Sequence, residues 1–164
     1  MELKTLFGLP AHPLVIHAVV VLLPLAALGL VVVAAIPRAR RHYAPVVLAG
    51  ALVAMLSVLV ATGSGEQLEE RVDDSRAVEQ HKERGERVLP WSIAVVVVAG
   101  AVVIEGPVRR RVPSAPSKAI TAVLVVAALV SSTGAAWTVS QAGHSGTKAT
   151  WGDLPTGRDG GGDD

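Results

Sequence analysis

Four of the chain's five histidines, His12, His17, His81 and His144, flank long apolar runs in such a way that a chain folded back and forth across a membrane brings them to one face. Neutral imidazole is the commonest protein ligand for transition metals, and a pair of imidazoles on facing helices is how a helical bundle holds haem b. Glu66, Glu69 and Glu70 stand near the same face and could add carboxylates for a harder metal. There is no cysteine, which excludes a disulfide, a thiolate metal site and covalently attached c-type haem. No Ser/His/Asp set, phosphate loop or zinc-protease helix is present, so the expectation is of a protein that is not an enzyme. Gly63-Ser64-Gly65 and Gly143-His144-Ser145-Gly146 read as turns, the latter ending the last helix.

Spacing narrows the pairings. His12 and His17 are five residues apart, about 140° around an ideal helix, so they do not form the i, i+4 clamp of a helical metal site. His17 would lie roughly 7 Å deeper than His12, and His81, on a helix continuous to Pro90, would stand about 13 Å above the interface. His12 with His144, or His17 with a loop folded inward, are the easier pairs. His17 lies within an apolar run, where a polar side chain is costly without a partner, and is the leading ligand candidate. Each of the others also has a plainer role: His12 at the start of a helix, His144 near a helix's negative end, His81 in a solvated loop.

The elements that must position these residues are legible from hydropathy. Half of the 164 residues are hydrophobic. They concentrate in four runs, near 13–36, 44–62, 89–106 and 119–142, each of the roughly 17 to 25 residues that cross a hydrocarbon core. Backbone groups in lipid must be satisfied within the segment, so these runs are expected to be helices, and the fold an all-α bundle of four transmembrane helices. Glu105, at the end of the third run, is expected to reach the interface. Gly29, Gly50, Gly100 and Gly134 offer close helix approach, within the chain or in a homo-oligomer.

Charge sets the orientation. Arg38, Arg40 and Arg41 follow the first run, and Arg109, Arg110, Arg111 and Lys118 lie between the third and fourth. By the positive-inside rule both connections face the cytoplasm, which leaves both termini and the acidic loop 63–88 extracytoplasmic. Trp91, Trp137 and Trp151, near the outer ends, and Tyr43, at the inner boundary, agree with that orientation. The loop is either a solvated segment whose second half extends the third helix or a pair of short surface helices, the second capped by Asp74 or Ser75. The first 152 residues form the membrane domain, and residues 153–164, rich in Gly and Asp, are expected to be disordered. The basic residues are topology signals, not a continuous basic face, so nucleic acid is not an expected partner. The two halves look alike, each with an outer histidine, a helix, a basic inner turn and a second helix carrying Thr-Gly, at Thr62-Gly63 and Thr133-Gly134.

Leu9-Pro10-Ala11-His12-Pro13-Leu14-Val15-Ile16-His17, Ala61-Thr62-Gly63, His81, and the segment from Ala142-Gly143-His144-Ser145-Gly146 to Trp151 together resemble a family of small bacterial membrane proteins, the domain of unknown function 2231, from about Gly8 to Gly152. The HPxxxH segment is the most specific part. The resemblance implies a protein of the bacterial cytoplasmic (inner) membrane, similar in its outward histidines to haem-handling and respiratory membrane proteins, and points to His12, His17, His81 and His144 as the matching positions. Relatives often carry another polar residue where His144 stands. The Ala, Val and Arg bias agrees with a high-GC bacterium. Two functions follow as expectations. In the first, the outer-face histidines bind haem b or a transition metal for electron transfer or metal handling, with a redox or membrane-protein partner. In the second, the protein is a non-catalytic accessory subunit whose acidic loop meets a partner protein.

Overall fold

A single residue, Ile36, separates helix α1 (Ala11–Ala35) from helix α2 (Pro37–Glu69) in the computed structural model, which describes residues 5, 6, 9–69, 75–111 and 117–151. Proline explains this tight reversal: it disfavours helical geometry in the residue before it and is preorganised for the first position of the helix that follows. Arg38, Arg40 and Arg41 therefore lie in the first turns of α2, not in a connection. The second hairpin consists of α3 (Arg76–Glu86), joined through Arg87 to α4 (Val88–Arg111), and then α5 (Ser117–Trp151). A two-residue antiparallel ladder, β1 (Thr5–Leu6) with β2 (Leu9–Pro10), precedes α1.

The helices are longer than hydropathy alone indicates. Segment α2 continues through Gly63 and Gly65, and α5 through Gly143 and Gly146 to Trp151, so neither glycine-containing stretch is a turn. Ser75 caps α3, its hydroxyl accepting from Val78 N–H at 3.2 Å, and the second half of the expected loop is an upward extension of α4. The tail 153–164 lies outside the described residues.

Around the bundle the order is α1, α2, α4, α5, with α1 and α4 across a diagonal and α3 packed mainly on α5. Four stretches, Leu14–Ala35, Pro37–Glu66, Arg76–Val108 and Lys118–Thr147, are long and apolar enough to cross a membrane. Their packing is inverted relative to a water-soluble bundle. Small residues dominate the inward seams of two helices, as with Ala44, Ala51 and Ala54 on α2 and Ala128 and Ala135 on α5, while Leu28 and Val97 are 64% and 63% exposed. Small seams bring backbones close where lipid removes the hydrophobic drive between helices. Ser132 of α5 uses that closeness, donating its hydroxyl to Ala27 O of α1 at 2.9 Å.

At the end where α1 turns into α2, the Arg40 guanidinium is buried. Its Nε donates to Val33 O at 3.1 Å, one Nη donates to Ala34 O, and the other donates to Glu105 Oε2 at 3.0 Å. Arg40 thus closes the open carbonyls of α1's last turn and ties both helices of the first hairpin to α4. Glu105, expected at the interface, is instead 8% exposed within this ion pair. A charge so far from water is stable only with such a partner.

Candidate functional site

The opposite end of the bundle brings two of the four histidines together. His12 sits in the first turn of α1, and its Nδ1 lies 3.0 Å from Ala61 O and 3.2 Å from Ser64 Oγ on α2. A carbonyl oxygen only accepts, so Nδ1 carries the proton. The Ser64 hydroxyl donates its own hydrogen to Ala61 O at 3.0 Å and can accept from the ring. His81, on α3, repeats the arrangement with α5: its Nδ1 is 3.2 Å from Ser145 Oγ, while that hydroxyl donates to Ala142 O at 2.9 Å. With the serine hydrogen committed to the carbonyl, Ser145 Oγ is the acceptor and His81 Nδ1–H the donor. Both rings thereby carry a proton on Nδ1, and Nε2 stands outside these hydrogen bonds.

The two rings face one another, their centres 6.4 Å apart and their planes at 84°. Both imidazoles are half-buried, and Ser64 and Ser145 are buried beneath them. A glycine follows each serine. A Cβ placed on Gly65 would meet His12 Cε1 at 3.0 Å, and one on Gly146 would meet His81 Cε1 at the same distance. Each ring therefore lies flush on a helix backbone that any side chain would push away. Burial holds the His12 pKa below its usual 6.5; the hydrogen bond to Ala61 O offsets this in part, and the neighbouring His81 adds to the lowering.

The other candidates fall elsewhere. His17 is exposed on the surface of α1, five residues beyond His12, as the 140° separation requires. His144 is exposed on α5, adjoining Ser145 in sequence but turned away by one helical step. His42, at the arginine end, donates from Nδ1 to Arg38 O at 3.1 Å. Glu66 is exposed, and the side chains of Glu69 and Glu70 lie outside the described residues. Among the described residues no three histidine, aspartate or glutamate side chains gather as a ready metal cluster. Spacing favours His12 with His144 or His17 with an inward loop; the pair formed is His12 with His81, because α3 carries His81 to the level of α1's first turn.

Ser64, Gly65, Ser145 and Gly146, which set the tautomer and seat of each ring, read in the sequence only as turn residues. The signal is present nonetheless. Ala-x-x-Ser-Gly occurs at 61–65 and again at 142–146, and this, with the histidine of each hairpin, is the correspondence between the halves in place of the Thr-Gly pairs. The arrangement brings two imidazoles from two hairpins side by side, each held at Nδ1 by the helix it packs on.

A family model described as a predicted membrane protein, DUF2231, matches residues 8–154. No curated protein and no solved structure matches the chain.

Proposed function

The chain belongs to the DUF2231 family of predicted membrane proteins, and from that premise we propose that it is a multi-pass protein of the bacterial cytoplasmic membrane that holds a transition metal, as a bare ion or as the iron of haem b, between His12 and His81. The observation that carries this reading is the facing pair itself: two half-buried imidazoles, 6.4 Å apart, each anchored at Nδ1 so that Nε2 is the donor. An Nδ1–H bond to a backbone carbonyl or hydroxyl is the outer support that orients metal-bound histidine and raises its basicity. The basic residues at the other end support, by the positive-inside rule, a reading in which the histidine end and both termini face the extracytoplasmic side. Such a centre serves electron transfer or metal handling, in contact with a redox or membrane-protein partner on that face. The reading passes over His17, whose exposure on α1 leaves the facing pair to His12.

The test uses the full chain purified in detergent, with metal content determined on the same sample that gives oxidised and dithionite-reduced visible spectra. About one metal per chain is expected, lost in His12→Ala and in His81→Ala and retained in His17→Ala. A Soret band that shifts on reduction identifies the metal as haem iron. A folded wild-type protein that takes up no metal under any loading condition overturns the proposal.

A further inference from the structure

We propose that the arginine end of the bundle binds an anionic phospholipid, its phosphate held by basic side chains of α2, α4 and α5 and its acyl chains lying along the apolar stripes below them. That end lies away from the histidine pair, and the binding stands whether or not the pair holds a metal.

Charge is unevenly spread along the bundle. The chain as a whole carries a net +1, yet Arg38, Arg41, Arg109, Arg110, Arg111 and Lys118 all fall at this end, beside the buried Arg40. Between residues 3 and 65 there is no carboxylate, and between residues 87 and 152 Glu105 is the only one. Arg40 engages Glu105, and one carboxylate does not balance seven cations. Arg38, Arg41, Arg111 and Lys118 are exposed. Cations at a membrane boundary without an internal counter-ion draw anionic headgroups, each Lys or Arg contributing roughly fivefold in affinity. The guanidinium fork also matches two oxygens of one phosphate.

The basic side chains are gathered on one flank. Helices α2, α4 and α5 follow one another around the bundle, with Arg38 in the first turn of α2, Arg111 in the last turn of α4 and Lys118 in the first turn of α5. Helix α1 has neither lysine nor arginine, so its exposed Leu25, Leu28 and Val32 lead only to Ile36. On the basic flank, charge and apolar surface are continuous. Arg111, Val108 and Ile104 share one exposed face of α4, and Lys118, Ala122 and Val126 one exposed face of α5. Tyr43, exposed on α2 two residues from Arg41, sets an amphipathic ring at the same boundary. A soluble phosphate would use the charges alone, whereas a phospholipid uses the charges and the stripes together. A zwitterionic headgroup carries its own cation beside the phosphate, which this cluster repels, so the fitting headgroup has no compensating amine.

The experiment is native mass spectrometry of the full chain in non-ionic detergent, with phosphatidylglycerol and phosphatidylcholine of identical acyl chains in competition. Phosphatidylglycerol should be retained preferentially, and the preference should shrink as salt is raised. Arg111→Gln and Lys118→Gln should each lower phosphatidylglycerol affinity about fivefold, while Arg111→Lys keeps most of the preference. Circular dichroism and a monodisperse elution profile confirm that each variant is folded. Equal retention of the two lipids by the wild-type chain overturns the proposal without need of any variant. Displacement of the bound lipid by millimolar inorganic phosphate would show a soluble anion as the ligand and overturn the lipid assignment. A preference unchanged in both glutamine variants places the headgroup elsewhere and overturns the assignment to this flank.

Discussion

The two ends of the bundle solve the same problem in opposite ways. At each, polar side chains from one hairpin meet those of the other in a setting largely closed to water. At the arginine end the charges are matched within the protein: Arg40 engages Val33 O, Ala34 O and Glu105, so cation and anion are paired. At the histidine end, the hydrogen bonds engage Nδ1 of His12 and of His81 and leave Nε2 of each ring outside them, with the ring centres 6.4 Å apart. A polar cluster that closes on itself is a fastening. One that leaves matched donors facing each other is a place for a ligand. Burial alone would have ranked the ion pair first, since Arg40 and Glu105 are both less exposed than either imidazole.

The largest effect is expected at the fastening. Arg40→Met removes the guanidinium from a buried carboxylate and from two helix-terminal carbonyls, and should cost about 3–5 kcal/mol, the range for breaking one side of a buried pair. Denaturant unfolding in detergent micelles measures it. Replacing both partners, as in Arg40→Met with Glu105→Leu, should recover much of the loss, because no charge is then stranded. Metal content per folded chain should stay unchanged in each variant. A loss of metal in folded Arg40→Met would mean that the two ends are coupled and would break the contrast between them.

The contrast also tells which parts of the molecule are legible in sequence. Hydropathy locates the four spans because lipid demands length and apolarity of every crossing segment, whatever its neighbours. Their ends are less legible. Gly63, Gly65, Gly143 and Gly146 have poor helix propensity and read as turns, yet α2 and α5 run through them, and Gly65 and Gly146 are held in helix by imidazoles that pack where a Cβ would be. That compensation comes from another part of the chain and has no local trace. Arg40 and Glu105 are 65 residues apart and each fits a simpler role, one as a topology signal and one as an interfacial carboxylate. Of the candidate site, residue type identifies the histidines; only the level to which α3 is lifted selects His12 and His81 from the four.

A smaller effect probes the anchoring beneath the rings. His12 has two acceptors at Nδ1, Ala61 O and Ser64 Oγ, whereas the acceptor of His81 is Ser145 Oγ. Ser145→Ala should therefore release the His81 tautomer and lower metal affinity by about 10–100-fold, the usual consequence of losing a ligand's outer hydrogen bond. Ser64→Ala should cost clearly less, because the Ala61 carbonyl still holds the His12 proton on Nδ1. The measurement is a competition titration of both variants against the same chelator, beside their unfolding curves. Equal losses of affinity, or changes confined to stability, would show that the serines only pack and do not set which nitrogen is the donor.

The smallest effect is a slope with pH, and it should belong to the histidine end. In metal-free protein the folded state holds His12 below its unfolded value of 6.5, so between those two values the unfolded chain binds more protons than the folded one. His12 therefore contributes stability that is present in full above pH 6.5 and is lost as the pH falls from there through the lowered folded value. The geometry adds to this, since the ring of His81, its centre 6.4 Å away, contributes to the lowering at His12. A bound metal competes with the proton for the same lone pair, so loading the site should move the loss to lower pH. Melting temperatures recorded from pH 8 to pH 5 on wild type and on His12→Asn, each with and without metal, separate these contributions. His12→Asn should flatten the metal-free slope and abolish the metal-dependent shift. A slope that survives this substitution places the titrating group outside the facing pair, and acid sensitivity would then no longer distinguish one end of the bundle from the other.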